Sequence, residues 1–519
     1  MRRHEILIFF TGAVTLALEV LASRIMMPYF GVSLYIWSGI LSTTLAFLAI
    51  GYWLGGRWSR RLEPAAAERR LLWMPVVAAA ALAAGAAIFP VVFPILAQAS
   101  LIGGSFVAAI LLLAIPLIAL SALNPLLIGL QRGHRGGDGG AGRVFFISTV
   151  GSVVGVLVTA FVFIPNLANY SAVLALGLAL ALAAVVFADA PGRRRLLIPS
   201  AVVAVPLLAL LIGRDSYLDK VSPMPGGGVT FRILDEFTSM FGSIKVVELG
   251  RDGRVDDTQK MFVQDGLLQN RTTADNASLS SYTHVLYALA GAYAPEAKDA
   301  LVLGLGAGIV PMQFKGRGLD VAVVEINADA VTAATRHFGF DAAAVRVHLA
   351  DARTHVRRCR ADYDVAIVDL FLGDNTPDYL LTREFFADLK RCLRPDGVVV
   401  MNAFLDDSDD APNRRLLATV MAAFPRVFRY GLAQGNSYIV GTTGRGAAEV
   451  AVDAAGMPEQ VRQTVVATVG TRREIRPEYY VGFEPVGDDD NIFSVLFANA
   501  QMKLRRALVT QLPSRLLVN

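Results

Sequence analysis

Cysteine is nearly absent from this 519-residue chain, which has two, Cys359 and Cys392. They form no C-x-x-C pair, and no histidine stands at ligand spacing from them. That argues against a metal site and against a disulfide framework. Charge is scarce as well: Asp, Glu, Lys and Arg make up 18% of the residues. A soluble enzyme is usually apolar at roughly 45–50%, and here the fraction is 54% with a mean hydropathy of +0.49. The surplus lies in the first part of the chain. The net charge of +4 and pI of about 9.0 would suit a nucleic-acid partner. Many of the arginines, however, sit beside apolar segments, where they orient a membrane protein, so no nucleic acid is expected. There is no internal repeat. The start, MRRHEILIFF, is basic and then apolar, yet no A-x-A-like cleavage site comes after it, so it reads as an uncleaved first span.

Apolar runs of about 20 residues can cross a bilayer. They occur at 6–23, 35–56, 72–93, 101–130, 144–164, 170–188 and 196–213. The fourth contains Pro116 and Asn124-Pro125, which predicts a kink. The last is short and holds Pro199 and Pro206. Glu19 and Arg24 lie in or near the first span; ionisable groups there either pair with each other or serve a function.

Arg57, Arg60, Arg61, Arg69 and Arg70 follow the second span, Arg132, Arg135 and Arg143 the fourth, and Arg193, Arg194 and Arg195 the sixth. Arg2 and Arg3 begin the chain. This pattern places the N-terminus in the cytoplasm of a multi-pass protein of the cell (inner) membrane. Seven crossings then put everything after residue 213 outside.

Residues 214–236 read as a Pro/Gly-rich connector between the helical part, 1–213, and the rest of the chain. Residues 237–275 read as a small β unit, with strands at Ser243–Leu249 and Lys260–Val263. From 276 to 445 strands alternate with helical patterns. ALVLGLGAG, DVAVVEI, VRVHLAD, YDVAIVDL and GVVVMNAF are continuous apolar runs, which predict a parallel, doubly wound sheet. Residues 446–519 form a mixed extension that includes Asp488-Asp489-Asp490.

Leu301-Val302-Leu303 runs into a glycine turn of Gly304, Gly306 and Gly308, where backbone can approach a ligand closely. Glu325 follows Gly304 by 21 residues, at the end of the next strand, where an acid can accept both ribose hydroxyls. The spacing G-x-G-x-G favours an S-adenosyl nucleoside over a dinucleotide. Asp351-Ala352 ends the third strand; the acid there either accepts from an adenine amino group or caps a helix. Asp369 closes the fourth strand, where ligands of open α/β sheets sit. A carboxylate in that place can take a proton from an attacking amine or hold a cation.

Together the residues resemble spermidine synthase and related polyamine aminopropyltransferases. The matches over 239–404 are Asp265-Gly266-Leu267-Leu268-Gln269, Tyr282, the glycine turn, Glu325, Asp351-Ala352 and Asp369. The first half resembles the membrane-embedded, fused multi-span members of that group, through Glu19 to Arg24, Tyr29 to Trp37 and Gly51 to Arg57. The loop Gly373 to Thr382 also resembles them. The resemblance implies a Rossmann-like domain of the class I methyltransferase type. It implies aminopropyl transfer from decarboxylated S-adenosylmethionine to an amine such as putrescine, with no metal. Asp369 would be the base. Gln269, Glu325, Asp351 and Ala352 would hold the donor, and Tyr282, His284 and Asp374 the amine. The soluble relatives form dimers or tetramers, which leaves a homodimer open here.

Several positions depart from that pattern. Ala307 stands where the family has an aspartate, Phe241-Gly242 where it has Tyr-Gln, His284 where a glutamate is usual, and Gln434 to Ser437 where it has Tyr-Pro. The donor half of the site is kept and the polyamine half is changed. Two alternatives therefore stand beside aminopropyl transfer: a methyl or alkyl transferase using intact S-adenosylmethionine on a membrane-delivered substrate, and a transporter or sensor with a non-catalytic domain that binds a nucleoside or a polyamine. An S-adenosyl donor is cytosolic, which calls for a cytoplasmic soluble domain, against the arginine pattern.

Overall fold

The computed structural model describes the chain except residues 1, 32–33, 136–139, 222–228, 252–253, 372–375, 404, 406–409, 433–435, 445–446, 448, 453–455, 499–504 and 506–511. Its contacts divide it into two compact units. One is Met1–Pro225 with Thr238–Met240 and Arg505–Asn519; the other is Gly226–Phe237 with Phe241–Leu504.

Leucine- and alanine-rich sequence with few charges makes the first unit helical. Its helices are α1 (Arg2–Phe30), α2 (Leu34–Arg61), α3 (Pro64–Ala99), α4 (Leu101–Ser121), α5 (Leu123–Arg135), α6 (Ala141–Val158), α7 (Asn169–Val186), α8 (Ala190–Ile212) and α9 (Arg214–Val221). Counting α4 with α5, and α6 with the turns after it, seven are long and apolar enough to cross a membrane. The fourth breaks at Ala122, just before the Asn124-Pro125 pair that predicts it. The seventh is longer than its apolar run: α8 starts with Pro191 in its first turn, and Asp189 accepts the Gly192 N–H at 2.8 Å. α1 and α6 touch backbone to backbone. A Cβ on Gly151 would lie 2.1 Å from the Phe9 carbonyl oxygen, and one on Gly155 2.1 Å from that of Ala13. Small residues permit that approach. Glu19 and Arg24 form no ion pair among the described residues, and Arg24 donates instead to the Met240 carbonyl at 3.1 Å.

The second unit holds two sheets. β1 (Val229–Ser239), β2 (Gly242–Arg251), β3 (Arg254–Gln264) and β4 (Leu267–Thr273) form a four-stranded sheet in that order. Its first strand starts inside the stretch read as connector. The larger sheet has eight strands: β5 (Asp299–Leu303), β6 (Asp320–Glu325), β7 (Arg346–Leu349), β8 (Tyr363–Val368), β9 (Leu393–Ala403), β10 (Arg426–Gly431), β11 (Ser437–Thr442) and β12 (Arg473–Ile475). Their order is β12-β10-β11-β9-β8-β5-β6-β7. β5 to β9 pair in parallel, as the apolar runs predict. Both faces of the run are buried, Leu301 and Leu303 on one and Ala300 and Val302 on the other.

Two expectations are corrected. The sheet is mixed, because β11 pairs antiparallel with both β9 and β10. The link from Gly431 to Ser437 is too short for a crossover, so only a hairpin can form. The cysteines, 33 residues apart, are joined in a disulfide. The end of the helix after β7 and the end of the helix before β9 meet in the same apolar layer, so distance in sequence did not mean distance in space.

Candidate active site

The chain leaves β5 for β6 and β7 on one side and returns through β8 and β9 on the other. The switch point lies between β5 and β8, and open α/β sheets bind ligands outside the strand ends there. A cleft at that place is lined by Gly304, Leu305, Gly306, Glu325, Asn327, Asp351, Ala352 and Asp369 from the large sheet. Phe241, Gln264, Gln269 and Asn270 line it from the small one, with Tyr282, Pro377, Tyr379 and Leu380.

The turn after β5 is tight because it runs over β8. Gly304 has φ 90°, and a Cβ there would lie 2.1 Å from the Asp369 carbonyl oxygen. Gly308 is outside the lining. It caps the next helix, Ile309–Gly316, against Phe340.

Glu325 reaches back across the strand ends. Its Oε2 accepts the Leu305 N–H at 2.9 Å and its Oε1 the Asn327 N–H at 2.8 Å. Burial pushes its pKa up, against these backbone donors. The Nδ2 of Asn327, in the same lining, is buried without a hydrogen-bond partner among the described residues. An unpaired donor there suits a ligand acceptor.

Asp351 does two things. Its Oδ1 caps the short helix Ala352–Val356 by accepting the Thr354 N–H at 2.8 Å, and its Oδ2 accepts the Tyr379 hydroxyl at 2.8 Å. Burial, then the Asp351 carboxylate, raises the Tyr379 phenol to about 12.

Asp369 sits where β8 ends. Burial lifts its pKa to about 6, and the Nδ2 of Asn402 at 2.9 Å from its Oδ1 works the other way. Asn402 is fixed in turn by Asn436, which donates to its Oδ1 at 2.9 Å. Tyr282 is held far above its usual pKa by burial first and then by Asp369, while Asn270 binds its hydroxyl. Asn270 also accepts the Ala307 N–H at 3.1 Å, so one buried amide ties the glycine turn to Tyr282.

The cleft thus gathers Gln269, Gly304, Gly306, Glu325, Asp351, Ala352, Asp369 and Tyr282. His284 is not in the lining: it is buried, with Nε2 3.0 Å from the Ser278 carbonyl oxygen. Asp374 lies outside the described residues. Asp265 turns the β3–β4 hairpin and accepts the Ser243 N–H at 2.9 Å, against Gly242. Reading the sequence missed Asn270 and Asn402. The first comes directly after Gln269, and the second ends a strand just as Asp369 does, so position alone could have flagged both.

The cleft thus sets a buried carboxylate, its pKa raised to about 6, beside a glycine turn and two further acids at strand ends of an α/β domain. Residues 279–419 match the family model described as the spermine/spermidine synthase domain. The chain is 34% identical over 132 residues to a polyamine aminopropyltransferase of Vibrio vulnificus, covering 24% of this chain and 44% of that protein. It is 32% identical over 142 residues to an N-terminal histidine N-methyltransferase of Emericella nidulans, covering 26% and 25%. The chain therefore spans less than half the length of these curated relatives. Among solved structures, a probable spermidine synthase from Corynebacterium glutamicum aligns with TM-score 0.40 and 20% identity, covering 50% of this chain and 97% of that one. The family model and the Vibrio vulnificus relative support a spermidine synthase-type domain within this chain.

Proposed function

We propose that the second unit moves an aminopropyl group from decarboxylated S-adenosylmethionine to a small amine such as putrescine. The observation that carries this reading is Asp369: a carboxylate in the cleft with a pKa of about 6, set beside Tyr282 and the glycine turn. Glu325 and Asn327 bind the ribose, and Asp351 the adenine edge. The amine nitrogen attacks the aminopropyl carbon next to the sulfonium. The carbon–sulfur bond breaks, methylthioadenosine leaves, and the amine's proton passes to Asp369. A base with a pKa a little below the working pH is ionised and still accepts a proton. Asn402 supports the role by holding Oδ1, which leaves Oδ2 for the amine.

A second reading is methyl transfer from intact S-adenosylmethionine. Asn270 favours it: this neutral amide lines the cleft and accepts the N–H of Ala307, which stands where the aminopropyltransferases have an aspartate. Calorimetric titration with both donors and with methylthioadenosine tests the two. Tighter binding of the decarboxylated donor supports aminopropyl transfer. Tighter binding of the intact donor replaces it with methyl transfer.

The first unit is read as a multi-pass domain of the cell membrane. Seven long apolar helices support this, and so does the wide apolar exposure of α8, where Ile198, Val202 and Val205 face outward.

A further inference from the structure

The acidic run Asp488-Asp489-Asp490 lies beyond the matched domain, and nothing in the proposed reaction uses it. Its first residue, Asp488, lines a second pocket that shares Asp351 and Tyr379 with the cleft. Arg353, 5% exposed, stands two residues after Asp351. It grips Asp488 with both terminal nitrogens, at 3.1 Å to Oδ1 and 2.7 Å to Oδ2. The same Nη1 donates to the Tyr379 carbonyl at 2.6 Å and the Thr382 hydroxyl at 2.8 Å. Thr382 donates onward to Asp488 Oδ1 at 2.7 Å.

Neighbouring bonds extend the contact along the loop. Asn491 Nδ2 donates to the Asp378 carbonyl at 2.7 Å, the Ser494 N–H to Asp378 Oδ2 at 2.9 Å, and the Arg383 N–H to the Val486 carbonyl at 2.9 Å. Segment 486–494 is thus bonded at several points to residues 378–383. That loop supplies Tyr379 and Leu380 to the cleft, and Tyr379 holds Asp351.

A loop wall costs conformational entropy to order. Bonds made before the ligand arrives remove that cost from binding. A bidentate arginine–carboxylate pair is the strong form of such a bond and fixes direction as well as distance.

We propose that the extension is a brace for the donor site: Asp488, acting through Arg353 and Thr382, is a positioning residue that sets the Tyr379 wall and the orientation of Asp351 against the adenine edge. This rests on the reading that the nucleoside occupies the Glu325–Asp351 end of the cleft. Asp369 lies outside the bonded set, so the brace governs donor binding and not the proton transfer.

The test uses the full-length protein in detergent, comparing wild type with Asp488→Ala, Asp488→Glu and Arg353→Lys. Two readouts are taken: methylthioadenosine affinity by calorimetry, and amide hydrogen exchange without ligand. With Asp488→Ala, the Kd rises at least tenfold and exchange at Tyr379–Thr382 speeds up at least tenfold, while exchange in β5 and β8 stays as in wild type. Donor KM rises and kcat stays within threefold. Asp488→Glu restores part of the affinity. Unchanged exchange at Tyr379–Thr382 overturns the brace, whether or not any nucleoside binds. Exchange that rises everywhere, with kcat and KM both impaired, also overturns it, as a merely structural role. Wild type that does not bind methylthioadenosine refutes the proposed reaction and leaves the exchange result to decide the brace.

Discussion

Asp369 has a carboxylate whose ionisation should control the reaction. The base works when ionised, so turnover is expected to fall as pH drops through about 6, and a kcat–pH profile checks it. Asn402→Leu removes a hydrogen bond that favours the charged form. A hydrogen bond to a charged group is worth about 1.5–3 kcal/mol, and one pKa unit is about 1.4 kcal/mol. The acid limb should therefore move up by about one unit or more. A limb that stays put would remove Asn402 from the argument. Asp369→Asn should abolish turnover while methylthioadenosine still binds within a few-fold. If turnover survives, Asp369 is not the base.

At the scale of elements, the disulfide between Cys359 and Cys392 closes the stretch that carries β8, Asp369 and the Tyr379 wall. A closed loop of that length stabilises the fold by roughly 3–4 kcal/mol on the chain-entropy model. Replacing both cysteines by serine should lower the thermal midpoint of this unit, as read by calorimetry on the oxidised protein. An unchanged midpoint would mean that the pair is not bonded in solution. The strand pattern of this unit was legible because strands buried on both faces are apolar nearly throughout: 300–303 is apolar at every position, and 363–368 at all but Asp364. The antiparallel edge was not, because β10 and β11 are only six residues each, and which strands they join is set by packing against β9.

For the whole molecule the question is which side of the membrane the second unit faces. Arginines flank alternate spans, and α8 is long enough to be the seventh crossing. If all seven cross, that count would put the chain after Ile212 away from the cytoplasm. The paired cysteines suit an oxidising side. An alkaline phosphatase fused after Asn519 is expected to be active and a fluorescent protein there dark. The donor then has to reach the site across the membrane. The opposite result means that one helix does not cross, and α8, with Pro199 and Pro206, is the first to examine.

Sequence alone determined the helical first half, the strand–glycine-turn–acid arrangement, and the acids at strand ends, because each is a local rule. Length and hydropathy set a span, glycine sets a turn, and the end of an apolar run sets the position of Asp369. Tertiary structure decided what depends on distant partners. It turned His284 to a backbone carbonyl, gave Asp265 to a hairpin, joined the two cysteines, and brought Asn402 to Asp369 and Asp488 to Arg353. A side chain's pKa and its partner are set by what packs against it, and packing between residues far apart in the chain leaves no period or spacing in the sequence to read.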